Sequence, residues 1–116
     1  MSHRKWDVVF ISAFPNQDDK TKFTKRPGII LSLKGKRVTV CPITTKLKQK
    51  YHYSHTIEVI KGTHEQEVTG LLETSLIVLD RIEVINDDKI DFKIGTCSDL
   101  IKVTIGDLLK RQGIKL

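Results

Sequence analysis

Short apolar runs separated by turn-forming residues recur through the first 95 positions of the chain. The runs are rich in β-branched and aromatic side chains, and proline, glycine or asparagine residues separate them, a pattern typical of strands. They therefore predict a mainly β chain. The predicted strands fall at residues 8–11, 29–33, 37–41, 56–60, 76–85 and 93–95.

The second and third predicted strands form a hairpin across a tight turn at residues 34–36. Polar and apolar residues alternate in 37–41, which predicts one covered and one solvent-facing side of the hairpin. Pro42 is expected to end the third strand, because proline lacks the backbone donor that a ladder needs. The longest β-rich run, residues 76–85, is expected to be one strand.

The last segment changes from the strand period to the helix period. Ser98 or Asp99 is expected to cap a helix, and Gly113 is expected to end it. The 116 residues suit one domain, so the pattern predicts a small β-barrel domain over residues 1–116 with a C-terminal α-helix. The apolar positions of the helix, expected to face the core or a second copy of the chain, are Leu100, Ile101, Ile105, Leu108 and Leu109.

Charge is segregated along the chain. Lysine and arginine number 20 against 14 acids, a net charge of +6, but no acid occurs between Asp19 and Glu58. That stretch holds 10 of the 20 bases, so the remaining 10 face all 14 acids and the rest of the chain carries −4. Such segregation favours a polyanionic partner, nucleic acid before a membrane. The bases are Lys20, Lys22, Lys25, Arg26, Lys34, Lys36, Arg37, Lys46, Lys48 and Lys50.

Several classes of protein are disfavoured by composition and motifs. No apolar run approaches the ~20 residues that a transmembrane helix needs, so we expect no membrane partner. Cys41 and Cys97 lie far apart and form no CxxC pair, which favours buried free thiols in a cytoplasmic protein. His52 and His55 have no HExxH motif or Cys/His cluster around them, so we expect no metal site.

Aromatic and basic residues interleave at positions 48–53. If this segment is extended, Tyr51 and Tyr53 share a face beside Lys48 and Lys50 and can stack on unpaired bases. The alternative is that the lysines are solvated and the tyrosines cover the end of the barrel. The residues alone leave both interpretations open.

Arg26 and Thr44 flank the predicted hairpin. If its strands pair through the turn at residues 34–36, positions whose numbers sum to about 70 lie opposite each other, which pairs Arg26 with Thr44. A guanidinium and a hydroxyl at one rim of the barrel can hold a phosphate from two sides. An exposed arginine and a strand-end threonine without a role in binding are the alternative.

An ordered set of segments resembles a known family. The segments are WDVVFI at 6–11, FP at 14–15, KRPGIILS at 25–32, VCPITT at 40–45 and VLDRI at 78–82. Over nearly the whole chain they resemble the MazF/PemK (Kid) toxins of type II toxin–antitoxin systems. The resemblance implies a dimeric SH3-like β-barrel and a metal-independent endoribonuclease, without a cofactor, that cuts single-stranded RNA at short sequences. It also implies an acidic antitoxin whose flexible tail covers the RNA groove.

The resemblance also implies roles for particular residues. In the family, the arginine of the RP motif and the threonine of the PIT motif are catalytic, and they correspond here to Arg26 and Thr44. The implied reaction is attack of the RNA 2′-hydroxyl on the adjacent phosphate, which leaves 2′,3′-cyclic phosphate and 5′-hydroxyl ends. RNA contacts are expected from Lys20, Lys22, Lys25, Thr45, Lys46, Lys48, Lys50, Tyr51, Tyr53 and Asp80.

Two positions depart from the family pattern. Trp6 stands where the family usually has a glycine before the aspartate of the first strand. Val78 stands where some members have an arginine two residues before the acid, which is Asp80 here. Two other classes therefore stay open: a nucleic-acid-binding barrel that does not cut, and a gyrase-targeting toxin of the CcdB kind.

Overall fold

Seven β-strands and two α-helices make up residues 3–116, the part of the chain that the computed structural model describes. Met1 and Ser2, which belong to the predicted domain span, lie outside the described residues. Short 3-10 helices occupy Leu47–His52 and Asp87–Lys89. The strands are β1 (Asp7–Pro15), β2 (Phe23–Lys34), β3 (Arg37–Thr44), β4 (Thr56–Val59), β5 (Ser75–Val78), β6 (Glu83–Asn86) and β7 (Ile90–Thr96), and the helices are α1 (His64–Thr69) and α2 (Asp99–Arg111).

The strands form an antiparallel sheet in the order β4-β5-β3-β2-β1-β7, and β6 pairs with β3. The centre of the sheet is β3, which pairs with β2 along one edge and with β6 and then β5 along the other. Within residues 3–116 no pairing joins β4 to β7, so the sheet is open. The prediction of a mainly β fold with a C-terminal helix is confirmed, with an open barrel in place of a closed one.

Near its turn the β2–β3 hairpin has one solvent-facing side, as predicted, with Arg37 exposed and Thr39 half-buried, but farther from the turn both of its faces are buried. Ile29 and Cys41 belong to a larger apolar cluster that includes the buried side of α2. Their neighbours Ile30 and Val40 point the other way, into a second cluster that contains Phe14. The second face is covered because β6 and β7 also contribute to that cluster.

The C-terminal helix begins where the sequence predicts it. The Ser98 hydroxyl accepts a hydrogen bond from the Ile101 amide at 3.3 Å and caps α2. Ile101, Ile105 and Leu109 are buried against the larger cluster. Leu100 is 62% exposed, since it lies about 100° around the helix from Ile101. The core-facing stripe is therefore narrower than predicted.

Two predicted strand bounds are wrong. Pro42 does not end the third strand, because β3 continues to Thr44. Its pairing with β2 ends at Pro42, and on its other edge the partner changes from β6, opposite Val40, to β5, opposite Ile43. The run 76–85 is two strands, β5 and β6, because the chain turns at Asp80. The Asp80 carboxylate there accepts hydrogen bonds from the amides of Ser54 and His55, at 3.0 and 2.8 Å.

The backbone at Trp6 explains one departure from the family pattern. Its φ is 76°, in the left-handed region where glycine is favoured. The Trp6 amide donates to the Ile30 carbonyl at 2.8 Å, and the Trp6 carbonyl accepts from the Cys97 amide at 3.0 Å. These two hydrogen bonds hold the residue in a conformation that a glycine would adopt at lower cost.

Candidate active site

A groove of about 580 Å³ opens beside β2 and the end of β3. Arg26 and Thr44 both line it. The ladder between β2 and β3 ends with Gly28 opposite Pro42, and Arg26 and Thr44 each lie two residues beyond that last pair. The register slips by one only nearer the turn, between Ile30 and Ser32 in β2. Of the other predicted site residues, Lys25, Thr45 and Lys46 also line the groove.

The Arg26 side chain is half-buried and carries an uncompensated charge. Its Cζ lies 5.7 Å from the centre of the Phe14 ring, and its buried Nε has no hydrogen-bond partner in the described chain. Burial lowers the pKa of the Arg26 guanidinium and the nearby Arg81 lowers it further, while Tyr53 opposes them. In residues 3–116 Arg26 forms no ion pair with a carboxylate. The groove therefore presents a cation with spare donors, which suits a phosphate.

Thr44 presents an oriented hydroxyl to the same groove. Its Oγ1 accepts a hydrogen bond from the Lys46 amide at 3.1 Å, so the hydroxyl proton is available to a ligand. The backbone of Thr44 pairs with Leu76 of β5, and the preceding Ile43 is buried. Packing and backbone pairing thus hold the residue in place beside Arg26.

An apolar wall faces these polar groups, and the sequence analysis did not single it out. Phe92, which is 53% exposed, stacks on Phe10 with ring centres 5.3 Å apart and planes 8° from parallel. Leu72 and Ile94 complete this side of the groove. In the sequence, the one sign of this wall is the position of Phe92 between two charged residues, Asp91 and Lys93. A flat ring beside a cation can stack on an unpaired base.

The wall is held by close contact between the backbones of α1 and β7. A Cβ at Gly95 would overlap the Thr69 carbonyl, and a Cβ at Gly70 would overlap the Ile94 carbonyl. Gly70 also ends α1 with a φ of 73°. Only glycines permit this approach, which sets the distance between the wall and the elements behind it.

Comparison with known proteins decides the family. Residues 4–111 match the family described as PemK-like, MazF-like toxin of type II toxin–antitoxin system. The chain belongs to this family. Its members are endoribonucleases. The comparison with curated proteins returned no significant match.

Two solved structures have the same fold. One, described as Mycobacterium tuberculosis toxin MazF-mt6, is similar with a TM-score of 0.66 and 19% identity, over 95% of this chain and 99% of that one. The other is described as an endoribonuclease in complex with its cognate antitoxin from Mycobacterial species. Its TM-score is 0.62 at 16% identity, over 100% of this chain and 99% of that one.

Other lysines of the toxin lie outside the groove lining. Lys20 forms an ion pair with Glu83, and Lys50 forms one with Glu58 at 3.2 Å. Both acids come from outside the acid-free stretch, so folding neutralises part of its charge. Lys22 and Lys48 are exposed elsewhere on the surface. Three bases of the stretch, Lys25, Arg26 and Lys46, line the groove and form no ion pair among the described residues.

The two tyrosines do not form the extended pair that the sequence allowed. Tyr51 lies in the 3-10 helix Leu47–His52 and is 79% exposed, while Tyr53 follows that helix. The Tyr53 hydroxyl donates to Gln17 Oε1 at 2.8 Å, in the loop after β1. Asp80 is also absent from the lining of the groove. Its carboxylate fixes the segment that follows Tyr53, through the two amide bonds described above.

Arg81, the residue after Asp80, was missed by the sequence analysis. Its Cζ lies 5.3 Å from the centre of the Phe14 ring, the same ring that the Arg26 guanidinium contacts. Its Nη2 donates to the Pro15 carbonyl at 2.9 Å. No local pattern marks this residue, because its partner Pro15 is 66 positions away.

The described part of the toxin contains no group of three or more His, Cys, Asp or Glu side chains that could hold a metal ion. His55 instead places Nδ1 3.6 Å from the Asp80 carboxylate, and His52 is exposed at the end of the 3-10 helix. Among residues 3–116 no helix has the length and apolar character to cross a bilayer.

Proposed function

We propose that this chain is a metal-independent endoribonuclease that cuts single-stranded RNA through attack of a 2′-hydroxyl on the adjacent phosphate. The bond between phosphorus and the 5′-oxygen breaks as the bond to the 2′-oxygen forms. The 2′-hydroxyl gives up its proton to water and the departing 5′-oxygen takes one from water, leaving 2′,3′-cyclic phosphate and 5′-hydroxyl ends. Membership of an endoribonuclease family supports the activity. The observation that carries the proposal is the juxtaposition of Arg26 and Thr44 in one groove, with Arg26 unpaired.

Arg26 has the electrostatic role in this reaction. Negative charge on the phosphate oxygens increases in the phosphorane, and a preorganised guanidinium stabilises that charge more than the charge of the substrate. A guanidinium stays protonated near neutral pH. We therefore assign Arg26 charge stabilisation and not proton abstraction.

Thr44 has a positioning role. In-line attack requires the 2′-oxygen, the phosphorus and the 5′-oxygen to align, and fixing that geometry is a large part of catalysis. The Lys46 amide orients the Thr44 hydroxyl, which then donates to a phosphate oxygen. Lys25, Thr45 and Lys46 bind the neighbouring phosphates of the RNA backbone. The ring of Phe92 stacks on an RNA base.

We further propose that an acidic segment of an antitoxin competes with RNA for this groove. The groove-lining cations Lys25, Arg26 and Lys46 support this competition, since carboxylates and phosphates satisfy the same donors. We also propose that the chain forms a homodimer and acts in the cytoplasm. A solved relative is itself described as an endoribonuclease in complex with its cognate antitoxin. Sedimentation of the purified chain over a range of concentrations tests the dimer, and a constant monomer mass would contradict it.

The enzyme is tested by incubating purified protein with a long RNA in the presence of a chelator. We expect discrete fragments whose 5′-hydroxyl ends accept phosphate from a kinase without prior phosphatase treatment, and whose sequenced ends define the cleavage motif. Arg26→Ala should abolish cleavage. RNA binding without fragments would favour the barrel that binds without cutting, and gyrase inhibition without fragments would favour the CcdB kind of toxin.

A further inference from the structure

Two arginines share one buried aromatic ring behind the groove. Phe14 is fully buried, and the Cζ atoms of Arg26 and Arg81 lie 5.7 and 5.3 Å from its ring centre. The face of an aromatic ring attracts a cation within about 6 Å. Holding two cations on the same ring brings like charges together, which costs free energy unless an anion joins them.

No carboxylate compensates this pair in the described residues. Arg81, like Arg26, forms no ion pair within residues 3–116. The acid adjacent to it in sequence, Asp80, directs its carboxylate to the amides of Ser54 and His55. Burial lowers the pKa of the Arg26 guanidinium, and the positive charge of Arg81 lowers it further. In the free protein, the guanidinium groups of Arg26 and Arg81 therefore share the Phe14 ring without a compensating carboxylate.

Arg81 does not line the groove. Its Nη2 donates to the carbonyl of Pro15, the last residue of β1. Two residues further on, Gln17 accepts a hydrogen bond from the Tyr53 hydroxyl. Because Arg81 lies outside the groove lining but shares the Phe14 ring with Arg26, we expect it to act on a ligand through Arg26.

We propose that Arg81 is a positioning residue that holds the Arg26 guanidinium toward the groove and adds a second positive charge behind it. The pair then stabilises the doubly charged phosphorane more than the singly charged phosphodiester. This inference rests on the proposed ribonuclease function. Because the preference applies to the transition state, loss of Arg81 lowers kcat and leaves KM almost unchanged.

The test compares Arg81→Gln, which keeps a donor for the Pro15 carbonyl but removes the charge, with Arg81→Lys, which keeps the charge. We expect Arg81→Gln to lower kcat by about 10- to 100-fold, less than or similar to the loss of a direct oxyanion donor, with KM changed by less than about threefold. Arg81→Lys should retain most of the activity. Arg111→Gln, an exposed arginine at the end of α2, is the matched control and should cleave at the wild-type rate.

A double-mutant cycle separates positioning from simple support of the fold. In an Arg26→Lys background, Arg81→Gln should lower kcat by less than about a further threefold, because the effects of two residues that act through one another are not additive. An unchanged kcat in Arg81→Gln would overturn the proposal. So would an equal factor in both backgrounds.

A binding measurement keeps this proposal distinct from the ribonuclease assignment. Tungstate is a tetrahedral dianion, and we expect Arg81→Gln to bind it about tenfold more weakly than the wild type, a change of about 1.4 kcal/mol. A fully 2′-deoxy oligonucleotide, whose phosphates are monoanions, should bind both proteins equally. If the wild type cuts no RNA but this difference in tungstate affinity is found, the proposed ribonuclease activity is contradicted while the proposed role of the Arg26–Arg81 pair is supported. Equal tungstate affinities would overturn the role of Arg81.

Discussion

The ring of Phe92 stacks on the ring of Phe10 across β7 and β1, with centres 5.3 Å apart and planes 8° from parallel. One face of this stack remains open to the groove that Arg26 lines. Cation and aromatic surface therefore lie side by side, the combination that single-stranded nucleic acid requires.

Phe92→Ala should weaken binding of a non-cleavable RNA. Loss of one base-stacking ring costs about 1–3 kcal/mol, a roughly 5- to 150-fold higher Kd. Fluorescence anisotropy with a 2′-O-methyl oligonucleotide measures it. Val84→Ala is the control, since Val84 is 50% exposed but lies on β6 outside the groove. Equal Kd values for the two variants would remove the ring from the binding surface.

Thr44→Val should reduce kcat by about 10- to 100-fold, because it removes the hydroxyl that positions the phosphate while keeping a β-branched side chain. Thr44→Ser keeps the hydroxyl and should restore most of the activity. Single-turnover cleavage of a short RNA measures both variants. If valine and serine behave alike, the hydroxyl has no part in the reaction.

Gly28→Ala should destabilise the fold by roughly 1–3 kcal/mol through overpacking. A Cβ there would lie 2.6 Å from Ile11 Cδ1 and 2.8 Å from the Cys41 carbonyl oxygen. Urea denaturation measures the loss. Gly106→Ala in α2 is the opposite case, since no described atom lies within 4 Å of its Cβ. It should stabilise the fold by about 0.4–1 kcal/mol, and a loss of stability there would contradict the open space beside the helix.

RNA affinity should fall steeply with salt. If Lys25, Arg26 and Lys46 each neutralise one phosphate, log K against log salt should have a slope of about −2, at roughly −0.7 per phosphate for a single strand. Lys46→Gln should reduce the steepness of that slope by about 0.7. Lys110→Gln, in the last turn of α2, should leave it unchanged. A slope near zero would show that charge contributes little to binding.

Stability should decrease at alkaline pH. Cys41 and Cys97 are free and buried, as predicted. Burial raises the pKa of both thiols, that of Cys97 from 9.0 to about 12. The unfolded chain releases these protons first, so their stabilising effect is complete below pH 9 and is lost as pH rises toward about 12. Cys97→Ala should flatten this decline in the unfolding free energy between pH 9 and about 12, and an unaltered decline would assign it to other groups.

That Arg26 and Thr44 line one groove was predictable, because a hairpin transmits its register. A two-residue turn, with Gly35 at a φ of 61°, joins Lys34 to Arg37, and from there the pairing proceeds to Pro42. The bulge near Ser32 shifts the register by one residue without separating the pair. Local pattern was sufficient here, since each step depends on neighbouring residues.

Arg81 and Phe92 were not predictable, because their roles depend on contacts between distant segments. The Asp80 carboxylate at the turn after β5 is bound by the amides of Ser54 and His55, about 25 positions away, and the next residue, Arg81, lies over Phe14 of β1. Phe92 stacks on Phe10, which lies on β1 and is far away in the sequence.

Helix α1 is a different case, since its signals were present in the sequence and were overlooked. Thr63 caps it by accepting from the Gln66 amide, and Gly70 ends it. This arrangement resembles a capping box followed by a C-terminal glycine.

The glycine contacts between α1 and β7 have a mechanical consequence for this toxin. A Cβ at Gly70 or Gly95 would overlap a carbonyl oxygen of the other element, so any larger residue there would push α1 away from β7, the strand that carries Phe92 and Ile94. We expect the apolar side of the groove to keep its shape for this reason. Adjustment to different RNA sequences should then come from the long side chains of Lys25 and Lys46.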